Sequence, residues 1–412
     1  MSRRRGDAAG TWLLGGLAAI SVAAMLAFGA YVLASGFAAF WPGRITELDL
    51  RDGSRVLGEI VGGDARAIAL RGSERLRAGD AYLRIARTDI VGQSWPSDVV
   101  ALLHPDGRRA FARGDAAASD HTAVEVTRPN TLSLPARIGL ALARAARFIA
   151  TAPEAGGVGG GVLPALAGTL TLVLLTSLFV MPVGIGAAAF LHLRRGPVVR
   201  IVRAAIDTLA GVPSIVYGVV GLGLLVHGIG GSLDRLLYAD RLAVPTWGAG
   251  GLLWAALTMA LLTLPVVVIS VEEGLQRIPR SLHDGSLALG ASREETLWRM
   301  SLPAARPAVL TGLVLAITRT CGAVAPLMLV GVVELAPALP LDGAFPYLHP
   351  ARQFMHLGFS VHTAALASTD AIRGVPHAYA CAALLVIVAI TLNLVAIVLR
   401  NRLRERYREL GT

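Results

Sequence analysis

The sequence predicts an all-α polytopic membrane protein with six transmembrane helices and a small β-rich extracytoplasmic insertion. Three observations carry this. The 412 residues are 54% hydrophobic and only 16% charged, with a mean hydropathy of +0.61, far more apolar than soluble chains of this length. Six apolar runs reach the roughly 20 residues that cross a bilayer as a helix. Between the first and second runs lies a polar, charge-balanced stretch punctuated by Asp-Gly pairs, the turn chemistry of β-hairpins.

The first run, Thr11–Phe40, is too long for a cleaved leader and has no small-residue cleavage site behind it, so it reads as a retained anchor. With its basic start it makes up residues 1–43. Residues 44–133 read as the β-rich domain. ITELDLRDGSRVLGEIV sets Asp52-Gly53 between two strand-like runs, and VVALLHPDGRRAFAR does the same with Asp106-Gly107. The carboxylates of this domain are scattered and His104 and His121 stand alone, so it suits spacing or docking better than chemistry. Residues 134–160 follow. Leu134–Ala150 has Ile138, Leu142 and Ile149 on one helical face and Arg137, Arg144 and Arg147 on another. That pattern fits a helix lying on a membrane surface and equally an amphipathic helix of the outer domain. Gly156–Gly161 is a flexible hinge by composition.

Residues 161–400 hold the other five runs: Val162–Leu191, Ile206–Val226, Trp247–Val271, Ala304–Val332 and Tyr379–Leu399. Residues 401–412 form a basic cytoplasmic tail. The third run contains Gly211-Val212-Pro213-Ser214. A proline inside a span frees backbone groups, which persist only where protein or water satisfies them. Pro213 and Ser214 are therefore pathway candidates, with a packing kink as the alternative.

All 38 basic residues are Arg. Without Lys there is no phosphate-cradling NTPase loop and no Schiff base. The net charge of +10 follows topology rather than nucleic acid. Sixteen arginines sit at the ends and in the loops assigned to one side, against Arg235, Arg241, Arg352 and Arg373 in the two short loops on the other. This bias places both termini in the cytoplasm. Asp207, at the cytoplasmic end of the third run, has three readings open to it: a helix cap, a pair with Arg203 one helical turn away, or a sensor of the pathway. Cys321 and Cys381 fall within spans and read as packing residues. No group of His, Asp or Glu inside the spans forms a catalytic or metal-binding set, so no catalytic residue, metal or cofactor is expected in the chain.

The most specific stretch is DGSLALGASREETLWRMSLP, Asp284–Pro303, in a predicted cytoplasmic loop over residues 272–303. Leu282, Gly285 and Leu289 share one helical face, and Gly285 and Ser286 let another surface approach closely. Gly290 stands where a helix end favours a left-handed residue. Ser292 and Glu295 form a capping box that starts a second helix. Pro303 is expected near the start of the fifth span, where its missing N–H matters least. Two helices meeting at such a break make a stiff elbow.

This spacing resembles the coupling loop of ABC-importer permeases: E-A-A, three residues, G, nine residues, I, one residue, L-P. Here the positions are Asp284, Gly285, Ser286, then Gly290, Met300, Leu302 and Pro303. LAGVPSIVYGVVGL (Leu209–Leu222) resembles phosphate permeases. ITRTCGAVAPLMLVG (Ile317–Gly331) and FMHLGFSVH (Phe354–His362) resemble the PstA-type permeases of phosphate ABC importers.

The resemblance implies the type I ABC importer permease fold in a bacterial inner membrane. Its implied partners are a PstC-like second permease, two PstB-like ATPase subunits that carry the ATP and Mg, and a PstS-like periplasmic phosphate-binding protein, besides membrane lipid. It also implies that the elbow docks on an ATPase. In the family motif R-x-x-G-E-T-A-P-L the arginine is Arg319 here, and the acid is replaced by Ala323. Arg319, read as lying near the middle of the fifth span, is a candidate for meeting an oxyanion cargo. The missing acid leaves room for another oxyanion, such as molybdate or sulfate, and for a regulatory scaffold that does not transport.

Overall fold

A computed structural model describes residues 2–63, 66–71, 83–103, 109–113, 125–153, 160–238, 245–367 and 371–409. His104, His121, Asp106-Gly107 and residues 156–159 of the Gly-rich segment lie outside them. The chain forms two compact units: Met1–Leu163 with Val361–Val386, and Pro164–Ser360 with Ile387–Thr412.

In the first unit, α1 (Ser2–Ala38) contains an apolar stretch, Leu14–Ala38, long enough to span a bilayer. Among the described residues eight strands follow: β1 (Ile45–Leu50), β2 (Arg55–Gly63), β3 (Ala67–Arg71), β4 (Leu83–Ala86), β5 (Ile90–Ser94), β6 (Val99–Leu103), β7 (Arg109–Arg113) and β8 (Glu125–Thr127). The first five make an antiparallel sheet in the order β4-β3-β2-β1-β5, and the last three a second sheet in the order β7-β6-β8. β1 and β2 pair around the Asp52-Gly53 turn, where Gly53 takes φ +76°, a value that L side chains resist. β6 and β7 pair in register across the second predicted hairpin. Leu48, Val56, Leu70 and Ile85 are buried together in the larger sheet, and Ile45, Val99 and Phe111 form a second cluster. Asn130 closes the domain: its amide oxygen accepts from the Ile45 N–H at 2.9 Å, and its amide nitrogen donates to the carbonyls of Ile45 and Pro96. α2 (Leu134–Ala150) follows, with Pro135 in its first turn.

In the second unit, α3 (Leu163–Leu193) is a span with Pro182 inside it. α4 (Pro197–Ala210) is amphipathic and separate. α5 (Ser214–Val220) runs through a π-helical stretch, Gly221–Gly230, into α6 (Gly231–Tyr238), and these make one span, Ser214–Tyr238. α7 (Leu252–Gln276) is the most deeply buried span. α8 (Arg280–Ala288), α9 (Arg293–Thr296), a π-helical turn at Leu297–Ser301 and α10 (Leu302–Ala304) form the elbow. α11 (Arg306–Gly322), α12 (Ala325–Val330) and α13 (Leu357–His362) follow, and α14 (Ala371–Glu409) begins in the first unit and ends in the second. The core lies around α7 and α11, where Val267, Val268, Val271, Leu275, Ala305 and Ala316 are buried together. Among the described residues five helices are long and apolar enough to cross a membrane, and a bent pair, Arg293–Ala304 with Arg306–Gly322, brings the number to six. The predicted class, a helical membrane protein with a small β-rich insertion, is the fold observed.

Two span boundaries differ from the sequence reading. The third span begins at Ser214, not Ile206, so Pro213 precedes the helix instead of breaking it. Hydropathy runs through the junction because α4 ends on apolar Leu209 and Ala210. The fifth run is not one helix either: α11 stops at Gly322, Ala323 is extended (φ −80°, ψ 127°), and α12 resumes at Ala325.

Candidate functional site

The elbow is built by local sequence. α8 ends at Gly290, whose φ of +90° suits glycine. Ser292 then caps the next helix: its Oγ accepts from the Glu295 N–H at 3.2 Å, while Glu295 Oε2 accepts from the Ser292 N–H at 3.0 Å. The Ser286 and Thr296 hydroxyls lie 3.0 Å apart and join the two helices across the break. Buried Leu297 roots the second helix in the core of the unit. That helix then turns by 66° at Ala305 into α11. Pro303 therefore lies in the elbow helix, before the bend, and not at the start of the span. Ala305, whose N–H reaches the Ser301 carbonyl at 2.9 Å, carries the turn.

Several large apolar side chains stand exposed on the elbow among its charged ones. Leu289 is 92% exposed, and Leu282, Trp298 and Met300 are also exposed. Asp284 and Gly285 are exposed, while Ser286, Leu302 and Pro303 are half-buried. A β-carbon on Gly285 would meet nothing within 4 Å, so the space beside it is open.

The elbow is tied to its flanking helices. Gly274 of α7 faces Ala308 of α11 so closely that a methyl on it would lie 2.2 Å from the Ala308 Cβ. Ser270 Oγ donates to the Ala308 carbonyl at 3.0 Å. Small residues thus let the helix entering the elbow and the helix leaving it touch backbone to backbone. Arg203 of α4 grips Glu272 of α7 with both ends of its guanidinium, at 2.5 and 3.2 Å, and Gln276 donates to the same carboxylate at 3.1 Å. Of the options left open for Asp207, the pairing with Arg203 is not the one formed: a bidentate partner on a neighbouring helix wins over an exposed i,i+4 partner. Glu272 escaped sequence reasoning. Its only signal was an acid pair, Glu272-Glu273, in the last turns of a span.

The pathway candidates are placed differently from expectation. Arg319 sits in the last turn of α11, immediately before the break, and not at mid-span. It is half-buried and, among the described residues, has no hydrogen bond or ion pair. Pro213 and Ser214 are exposed, and Tyr217 is buried one turn further on. The Tyr217 hydroxyl itself donates to the Leu209 carbonyl at 2.6 Å. Gly218 packs on the far side of the break, where a β-carbon would lie 2.7 Å from the Pro326 Cα. Ala323 follows directly after the end of α11, in extended backbone outside the helix that carries Arg319. Among the described residues no cluster of His, Cys, Asp or Glu is placed to hold a metal ion.

The elbow thus joins two membrane helices, and Arg319 stands at the far end of the second of them. Residues 180–409 match the family model of the binding-protein-dependent transport system inner membrane component. The match covers more than half of the chain, and the chain belongs to this family. It is 32% identical over 187 residues to the probable ABC transporter permease protein YqgH of Bacillus subtilis, covering 45% of this chain and 57% of that protein. It is 31% identical over 246 residues to the phosphate transport system permease protein PstA 1 of Mycobacterium tuberculosis, covering 58% of this chain and 71% of that protein. The chain thus spans little more than half the length of several of its curated relatives. Among solved structures, the methionine ABC transporter MetNI in an inward-facing conformation aligns over 59% of this chain and 97% of its own, at 16% identity and a TM-score of 0.41.

Proposed function

We propose that this chain is the permease subunit of an ATP-driven importer whose cargo is a tetrahedral oxyanion, phosphate first among them. The observation that carries the reading is the rigid elbow with open space at Gly285 and an exposed apolar rim. An exposed rim of this kind on a capped break suits a partner surface better than water. The partner is an ATPase subunit, which holds the ATP and Mg; this chain performs no chemistry. Its other partners are a second permease subunit and a binding protein that delivers cargo, and both of its termini face the cytoplasm.

Closure of the ATPase pair displaces the elbow. The Gly274–Ala308 contact and the Arg203–Glu272 clamp pass that displacement into α7, α11 and α4. The spans then change the side to which the pathway opens, a switch between two packed states. Arg319, with a planar fork of donors and no partner of its own among the described residues, supplies the attraction for an oxyanion. Phosphate is supported by the similarity to PstA proteins. The Ala323 substitution supports a second reading, in which the cargo is another oxyanion or the chain regulates without transporting.

The test is Gly285→Trp in cells expressing the whole transporter. The β-carbon it adds meets nothing within 4 Å, so the protein is expected to accumulate in the membrane while phosphate uptake falls to background. Uptake at the unsubstituted rate would refute the docking role.

A further inference from the structure

The transport reading leaves α2 unused, and α2 has an apolar face with no protein on it among the described residues. At 100° per residue, Leu134, Ile138, Leu142 and Ile149 fall within about 80° of arc. All four are exposed, Leu134 by 65% and Leu142 by 56%. The basic face is already occupied. Glu125 accepts from Arg144 at 2.9 and 3.2 Å and from Arg147. Burial alone would raise that carboxyl, but the two guanidiniums hold it below the usual range. Arg137 donates to the carbonyls of Leu132 and Pro129. The arginines therefore bolt α2 to β8 and to the chain leading into it, and the apolar stripe is left over.

Its height is fixed by Phe148. That ring is buried at the edge of the stripe. It lies 5.2 Å from Phe40, two residues beyond the end of α1, and 5.4 Å from His377, in the opening turns of the span that starts at Gly374. α2 is thus pinned where two membrane helices of its own unit emerge from the bilayer.

We infer that the Leu134–Ile138–Leu142–Ile149 stripe is a bilayer contact: α2 lies in the interface of the leaflet at the Phe40 and His377 ends of the spans, with these four side chains among the acyl chains. A helix at that height whose arginines are engaged by its own domain, and whose apolar face is continuous, meets lipid as its nearest apolar phase. Because β8 is clamped to its other face, α2 is also the strut that holds the β-rich domain close to the membrane. The proposal does not depend on what the permease carries.

The test is spin-label accessibility on the full chain, with Cys321→Ala and Cys381→Ala removing the native thiols. Single cysteines replace Ile138, Leu142, Ile149 and, on the opposite face, the exposed Ala143. The labelled proteins are reconstituted in vesicles of phosphatidylethanolamine and phosphatidylglycerol. The ratio of accessibility to oxygen over a water-soluble nickel chelate is expected to be several-fold higher at 138, 142 and 149 than at 143. Equal ratios at all four positions would overturn the inference, because the stripe would then face water. Immobilised labels shielded from both reagents would overturn it too, since a protein partner would then cover the stripe.

Discussion

Removing Glu272 is the sharpest test of how the elbow is held. Its side chain is 9% exposed and takes both arms of the Arg203 guanidinium, which is itself 46% exposed. Breaking a fully buried pair costs about 3–5 kcal/mol, and an exposed pair is worth about 0.2–1 kcal/mol. Arg203 can recover water on its open side, so the cost falls between these limits, at about 1–2 kcal/mol for Glu272→Ala. Glu272→Ala, Arg203→Ala and the double variant form a cycle read by equilibrium unfolding of the purified protein in detergent. A coupling of about 1–2 kcal/mol is expected, with the double variant little worse than Glu272→Ala alone. A coupling under about 0.3 kcal/mol would show that the two residues act independently, and the clamp between α4 and α7 would have no energetic content.

Other outcomes follow from the same geometry. Gly290→Ala places a β-carbon on a residue at φ +90° with open space around it, so backbone strain alone costs about 1–2 kcal/mol, seen as a lower unfolding midpoint. Ser292→Ala removes the capping hydroxyl and costs about 1 kcal/mol by the same assay, while a loss of the same size from Ser281→Ala would mean the cap is not the cause. Asp342 accepts from Arg352, from His349 at 2.9 Å and from the Ala344 N–H at 3.0 Å, and these partners, Arg352 foremost, hold its carboxyl down at about 2. Its folded value lies below its ordinary one, so its contribution is complete above about pH 4 and fades as the pH falls toward 2. Hydrogen exchange of the 335–352 loop should accelerate over that window beyond the intrinsic rate, and Asp342→Asn should remove the pH dependence.

Local chemistry was the legible part of the sequence. The Asp52-Gly53 hairpin, the left-handed Gly290 and the Ser292–Glu295 box each depend on residues a few positions apart, and each is in the structure. The long apolar runs predict membrane helices because burial in lipid needs only length and composition. What escaped was set by tertiary contact or by breaks that hydropathy averages away. The Arg203–Glu272 pair joins residues 69 apart. The interruption at Ala323 lies between two apolar helices, so Ala304–Val332 reads as one span, and Arg319 reads as central when it stands at an end. Pro213 misleads in the opposite sense: its ring suggests a break inside a helix, and it is instead the cap before one.

The central claim, that the elbow seats against an ATPase, is tested most directly by a crosslink. Leu289→Cys places a thiol at a position of the elbow that is 92% exposed, and the intact complex is purified with the ATPase that accompanies it. A short bifunctional reagent is expected to join the introduced thiol to that ATPase in high yield, with a yield that changes when ATP is bound. A complex that contains an ATPase but never crosslinks from position 289, with or without nucleotide, would contradict the claim.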